Sequence, residues 1–167
     1  MLVKGTHFTA TLPPDWQEDP EGTPSGGLRF VDAAYREIIF SALRFQPTGE
    51  QTLEWFLVDL AHRKAEVARQ NGATWVSEPR VEPTVDPCVT QLGSASQDHV
   101  AVSLFEASVT HREPFDGGHF VVNYLCYDYW PPQRSMHEGP PNAYKAEAFA
   151  REVLATIRLL PTGTGIA

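Results

Sequence analysis

Residues 48–72 read TGEQTLEWFLVDLAHRKAEVARQNG, and this stretch decides how the remainder of the chain must fold. Leu53, Phe56, Leu57, Leu60, Ala61, Val67 and Ala68 recur at helical spacing and form one apolar stripe. Thr48 and Thr52 are the candidate caps, and Thr48 with Gln51 has capping-box spacing. Asn71-Gly72 supplies the left-handed residue that commonly ends a helix. Asp59 and Arg63 lie four residues apart and pair on the wet side. Trp55 and Val58 fall opposite the stripe, near His62, so Trp55 needs cover from a loop, a second subunit or a partner.

A helix with one apolar stripe requires a second layer, and the flanking sequence supplies strands. Residues 6–12 alternate, with Phe8, Ala10 and Leu12 on one face and His7, Thr9 and Thr11 on the other. Pro13-Pro14 ends that strand, and Trp16 is expected to fold back on the core. Residues 18–27 are a polar, glycine- and proline-rich loop. Residues 28–32 and 37–45 follow as strands; Ile38, Ile39, Phe40, Leu43 and Phe45 place apolar groups on both faces of the second.

After the helix, residues 74–81 form a weaker strand broken by Pro79. Residues 88–95, 100–111 and 119–130 then form an antiparallel meander, with Gln97-Asp98 and Asp116-Gly117 at its reversals. Phe120, Val122, Tyr124 and Cys126 line one face of the last strand, while Val121, Leu125, Tyr127 and Tyr129 line the other. Residues 131–141 are a proline-rich loop. Asn142 caps a closing helix running to about Arg158, with Ala146, Phe149, Ala150, Val153, Ile157 and Leu160 on its stripe. Residues 161–167 read as a frayed tail.

The order predicts a single α+β domain: an antiparallel sheet of about six to seven strands packed with two main helices. The helices either divide between the two faces of the sheet or leave one apolar face for a partner.

A net charge of −8 argues against nucleic acid as a partner, since phosphate binding needs a basic face. No apolar run is long enough to insert in a membrane, no secretory signal opens the sequence as given, and the expected address is the cytoplasm. Cys88 and Cys126 fall in separate strands and read as free, buried thiols, Cys88 being the more accessible.

Three kinds of chemistry merit weighing. His99, His111 and His119 fall at meander strand ends, and two histidines with Glu113 or Asp116 can bind zinc or iron. No H-x-H, H-E-x-x-H or C-x-x-C spacing supports such a site, so no metal and no cofactor is expected. Gly93-Ser94-Ala95-Ser96 lacks the second glycine of a nucleophile elbow, and no phosphate-binding glycine loop is present. The aromatic residues carry the binding signal. Tyr124, Tyr127, Tyr129 and Trp130 crowd the end of one strand, and tyrosine and tryptophan suit interfaces because each joins apolar area to a polar tip.

The opening Phe8-Thr9-Ala10-Thr11-Leu12-Pro13-Pro14-Asp15-Trp16 resembles the start of PsbP-like proteins. The plan that follows resembles them too: a short hairpin, a helix opening near Thr52-Leu53-Glu54, a meander, and a closing helix ending in Ile157-Arg158-Leu159-Leu160. The bacterial DcrB-like branch is the most similar. This resemblance implies a sheet packed between helices and accessory work as adaptor, assembly factor or chaperone, with no shared catalytic residues. One branch, the Eag-type chaperones of type VI secretion, is dimeric and holds hydrophobic N-terminal segments of effectors in the cytosol. The expected function is therefore non-enzymatic binding of another protein through an apolar segment, with Trp55, Val58, Tyr127, Tyr129 and Trp130 as contacts. The alternatives are an enzyme or small-ligand binder at the meander histidines, and an acidic immunity protein that blocks a toxin.

Overall fold

A computed structural model describes residues 1–21, 27–34, 36–97, 100–115, 118–130 and 146–160, with backbone alone at 96–97, 100 and 129–130. The elements run β1 (Leu2–Lys4), β2 (Phe8–Thr11), β3 (Gln17–Glu18), β4 (Gly27–Val31), β5 (Arg36–Phe45), α1 (Leu53–Gln70), β6 (Ala73–Val76) and β7 (Arg80–Val81). They continue with β8 (Cys88–Gln97), β9 (Val100–Thr110), β10 (His119–Trp130), α2 (Glu147–Leu154) and β11 (Arg158–Leu159). The fold is α+β, with an eight-stranded sheet ordered β3-β4-β5-β10-β9-β8-β6, β7 pairing β8, and a three-stranded sheet ordered β1-β2-β11. Every described strand pairing is antiparallel.

β10 is the central strand. It pairs with β5 from His119↔Phe45 to Asp128↔Arg36 and with β9 from Val121↔Thr110 to Trp130↔Ala101. Its even positions Val122, Tyr124 and Cys126 enter the larger core with Phe8, Ala10, Leu12, Phe30, Ile38, Phe40 and Phe105. Val121, on the opposite face, packs with Leu57, Ala61 and Val89. The helices therefore divide between the two faces: α1 covers one, and α2 with the three-stranded sheet covers the other.

Thr52, not Thr48, caps α1; its Oγ1 accepts from the Trp55 amide at 3.1 Å. Gly72, at φ 101°, takes the left-handed conformation just beyond the helix.

Several expected boundaries move. β1 and β3 lie in segments that read as non-strand. Pro79 splits the expected strand over 74–81 into β6 and β7. The closing helix stops at Leu154, and Arg158–Leu159 pair with β2 instead. Thr11 N–H donates to Thr156 Oγ1 at 2.8 Å and Leu160 N–H to the His7 carbonyl at 2.8 Å. The expected cap Asn142, the loop over 131–141 and the tail over 161–167 lie outside the described residues.

The tryptophan after the opening strand explains the Leu-Pro-Pro-Asp-Trp pattern. Trp16 is buried and stacks on Phe149 of α2, with centroids 5.4 Å apart. The Arg36 guanidinium lies 4.3 Å from the Phe149 ring centroid and is held by Asp32 at 2.6 Å. Replacing Trp16 by Ala should lower the free energy of unfolding in urea by about 3–5 kcal/mol. Trp16→Phe keeps a ring against Phe149 and removes an indole N–H that has no hydrogen-bond partner among the described residues, so it should cost less than half as much.

Candidate functional site

α1 runs over the β8–β9 side of the large sheet and leaves a groove beside its C-terminal half. The groove has a volume of about 560 Å³. Its apolar walls are Val67 and Ala68 from the helix, and Ile39, Leu125, Leu104 and Val102 from β5, β10 and β9. These strand residues share one face because side chains alternate along paired strands.

Lys64 forms the floor. It sits three residues after Ala61 and seven after Leu57, so the helix turns it toward the sheet with the apolar stripe. Its Nζ donates to Glu106 Oε1 at 2.7 Å, Asn123 Oδ1 at 2.6 Å and Ser108 Oγ at 3.0 Å. An ammonium has three protons, so these three acceptors satisfy it completely. Ser108 Oγ also lies 2.9 Å from Asn123 Oδ1, which closes the network.

The other charges lining the groove are likewise paired within the chain. Arg29 grips Glu37 through Nε at 2.9 Å and a second nitrogen at 3.1 Å, and Asp59 holds Arg63. Tyr127 stands between Glu106 and Glu37. Burial pushes its phenol up to about 12, and both carboxylates add to the shift, so the hydroxyl remains protonated.

Of the residues expected to make contacts, Tyr127 lines this groove. Tyr129 and Trp130 end β10 and their side chains lie outside the described residues. Trp55 is half exposed in the first turn of α1, about 18 Å along the helix from Val67, so the structure does not bring it to Tyr127. Val58 is not opposite the stripe. It shares a face with Ala65, seven residues on, and packs on the core around Leu57 and Val121.

Val67, expected in the core, is 55 % exposed at the groove wall. The residue that sequence reasoning passed over is Lys64; its signal is a lysine in register with an otherwise apolar stripe.

The histidines separate from this groove. His99 lies outside the described residues. His119 Nδ1 is 3.1 Å from the His111 carbonyl, and His111 Nδ1 is 4.0 Å from Asp86 Oδ1. Among the described residues no group of three or more histidine, cysteine, aspartate or glutamate side chains is placed to hold a metal.

Cys88 and Cys126 are both free and buried, with Cys88 4 % and Cys126 0 % exposed. Burial pushes each thiol up to about 12. No helix is long and apolar enough to cross a membrane among the described residues.

No protein-family model matches the chain, and no curated protein sequence matches it significantly. Solved structures do. The chain is similar to LpqN of Mycobacterium tuberculosis, described as involved in cell envelope biogenesis, with TM-score 0.62 and 14 % identity over 96 % of this chain and 90 % of that one. It is similar to the Ran-binding protein Mog1p of Saccharomyces cerevisiae, with TM-score 0.59 and 12 % identity over 95 % and 93 %. At such identities the likeness is one of fold alone. PsbP of the cyanobacterium Synechocystis is also among the similar structures, at TM-score 0.49 and 13 % identity over 91 % and 86 %.

Two outcomes follow from this geometry. Lys64→Met and Glu106→Leu should each cost about 3 kcal/mol in urea unfolding, because each leaves a largely buried charge without its partner. The double variant should cost much less than their sum. Neither cysteine of the native protein should react with a disulfide reagent at pH 8 within minutes, whereas both should react in denaturant, since a thiol near 12 is only about one part in ten thousand thiolate there.

Proposed function

We propose that this chain is a non-enzymatic accessory protein, an adaptor or chaperone, that buries an apolar segment of another protein in the groove between α1 and the sheet. One observation carries the reading: the walls are largely apolar, and among the described residues all four charged ones that line the groove (Glu37, Arg63, Lys64 and Glu106) are already paired within the chain. An uncharged occupant removes apolar wall from water without stripping any ion of its partner. Tyr127 lines the same groove and adds no charge to it. Tyr129 and Trp130 extend the contact along the end of β10, and Trp55 serves a second, separate contact. The described roles of LpqN in envelope biogenesis and of Mog1p in Ran binding support accessory protein binding on this fold. The resemblance to DcrB-like proteins extends the reading to a cytoplasmic homodimer that holds the hydrophobic N-terminal segment of a secretion-system effector.

A second reading is favoured by size. About 560 Å³ is the volume of a small-molecule site, so an apolar ligand of low mass also fits.

The test is affinity capture of the tagged protein from its native lysate, read by mass spectrometry, with Val67→Asp as control. Val67 is exposed on the helix, so the variant should keep its melting temperature while replacing apolar groove wall with a charged group. The expected result is one stoichiometric partner, lost in Val67→Asp and retained from about 0.1 to about 1 M salt. A partner that survives Val67→Asp overturns the groove assignment. Steep weakening with salt points instead to the immunity reading, and a co-purifying small molecule in native mass spectrometry to the second.

A further inference from the structure

A second cavity, of about 470 Å³, lies beside the C-terminal end of α2. Its floor is the cross-strand pair Cys88 and Val109. Val89, the next residue along β8, packs with Leu57 of α1, so this floor belongs to the other face of the sheet. Leu154 and Ile157 from the end of α2, Leu159 of β11 and Val85 of the 82–87 loop complete the apolar lining.

Val85 is 88 % exposed, the most exposed large apolar side chain among the described residues. The loop that carries it is fastened along its whole length. Glu82 N–H donates to the Cys88 carbonyl at 2.9 Å, and Thr84 N–H to the Glu82 carbonyl at 2.9 Å. Thr84 Oγ1 donates to the Asp86 carbonyl at 2.7 Å. Arg112 Nε donates to the carbonyl of Val85 itself at 3.2 Å, and Thr110 N–H to that of Pro87 at 3.0 Å. Pro83 and Pro87 each fix a backbone angle. These bonds hold an apolar side chain in water at the edge of an apolar cavity. Its position is set during folding, so a molecule that covers it gains the burial without ordering the loop.

The charged residues of the lining are two of each sign: Glu82 and Asp86, Arg151 and Arg158. Arg151 donates to Glu82 Oε1 through both terminal nitrogens at 3.1 Å. Asp86 faces His111 Nδ1 at 4.0 Å, and Arg158 Nη1 donates to the Ala155 and Ile157 carbonyls at 2.8 and 3.0 Å. An entering ion meets as many like charges as opposite ones, whereas a neutral molecule disturbs none of these contacts. An extended peptide finds no backbone partner on the floor, because β8 is paired with β9 on one edge and with β7 and the Glu82 amide on the other.

We propose that this cavity binds an uncharged, apolar molecule of low mass, with Val85 as its preset rim contact, independently of the groove beside α1. Its volume falls in the range of about 300–1,000 Å³ usual for small-ligand pockets.

The test is titration of the full-length protein with the neutral probe N-phenyl-1-naphthylamine, read by its fluorescence and located by amide NMR shifts. Saturable binding should shift the amides of Val85, Asp86, Cys88 and Ile157. Val85→Asp, at an exposed position, should keep the melting temperature and weaken this binding by about tenfold or more, since it sets a charge at the rim of an apolar site. Val85→Ile should retain it, and Val67→Asp, in the groove beside α1, should leave it unchanged. The sulfonated counterpart of the probe, anilinonaphthalene sulfonate, should bind here more weakly than the neutral one. Shifts confined to Val67, Leu104 and Leu125 place the probe in the groove instead and overturn the proposal. Undiminished affinity in Val85→Asp, equally tight binding of the sulfonate, or no saturable binding also overturns it.

Discussion

Everything in this structure answers to β10, a strand bonded on both sides and apolar on both faces. Such a strand cannot leave either face to water, so the chain must supply two covers. One comes from the ends of the sequence: β1, β2, α2 and β11 form a layer around Phe8, Leu12 and Ala150, and the Trp16–Phe149 stack fastens its two halves. The other, among the described residues, is α1 alone. β10 spans about 40 Å and α1 about 27 Å, and the helix lies toward β8 and β9. One helix cannot cover a strand of that length, so Ile39, Leu125 and Leu104 are left beside its C-terminal half. The groove is that shortfall.

Lys64 determines what kind of surface the shortfall is. An apolar residue there would leave Asn123, Ser108 and Glu106 without the cation they share. The lysine instead holds the helix to the sheet through three polar contacts, and it brings Glu106 to the floor with its charge already matched. A buried pair of this kind adds little stability relative to an apolar substitute, but it fixes where the helix sits. Of the aromatic residues that sequence reading favoured, Trp55 is half exposed away from this pin and Tyr127 lines the same groove. Reading Lys64 correctly required knowing that its carboxylate lies 42 positions later, on a strand whose facing was set by its partners.

The same division separates what was legible in the fold from what was not. α1 and the three long meander strands were legible because each has enough residues for its period to assert itself, and Gly72 marked the end of the helix. β1, β3, β7 and β11 have two or three residues each, too few for a period, and they exist only through their partners. Ile157 and Leu160 continue the spacing of α2, which is why the closing helix reads as longer than it is. The backbone there gains more from β2 than from another helical turn, because Thr156 and Leu160 both bond to the opening strand. Val58 was misplaced for a related reason: the apolar face of α1 is broad, and its flank packs on Leu43 and Phe45.

Charge acts at two ranges in this protein. The net −8 is a long-range property that bears on solubility and on the rate at which a charged partner arrives. The surfaces that have shape behave differently. In the groove each charge contributed by the described residues has its own counterion, and burial holds Tyr127 at its wall in the protonated form, as it holds Cys88 and Cys126 elsewhere. A general acid or base works best when its pKa lies near the working pH, with both protonation states accessible. Burial moves these three groups the other way, toward a single uncharged state. An apolar occupant of the groove would therefore strip no ion of its counterion.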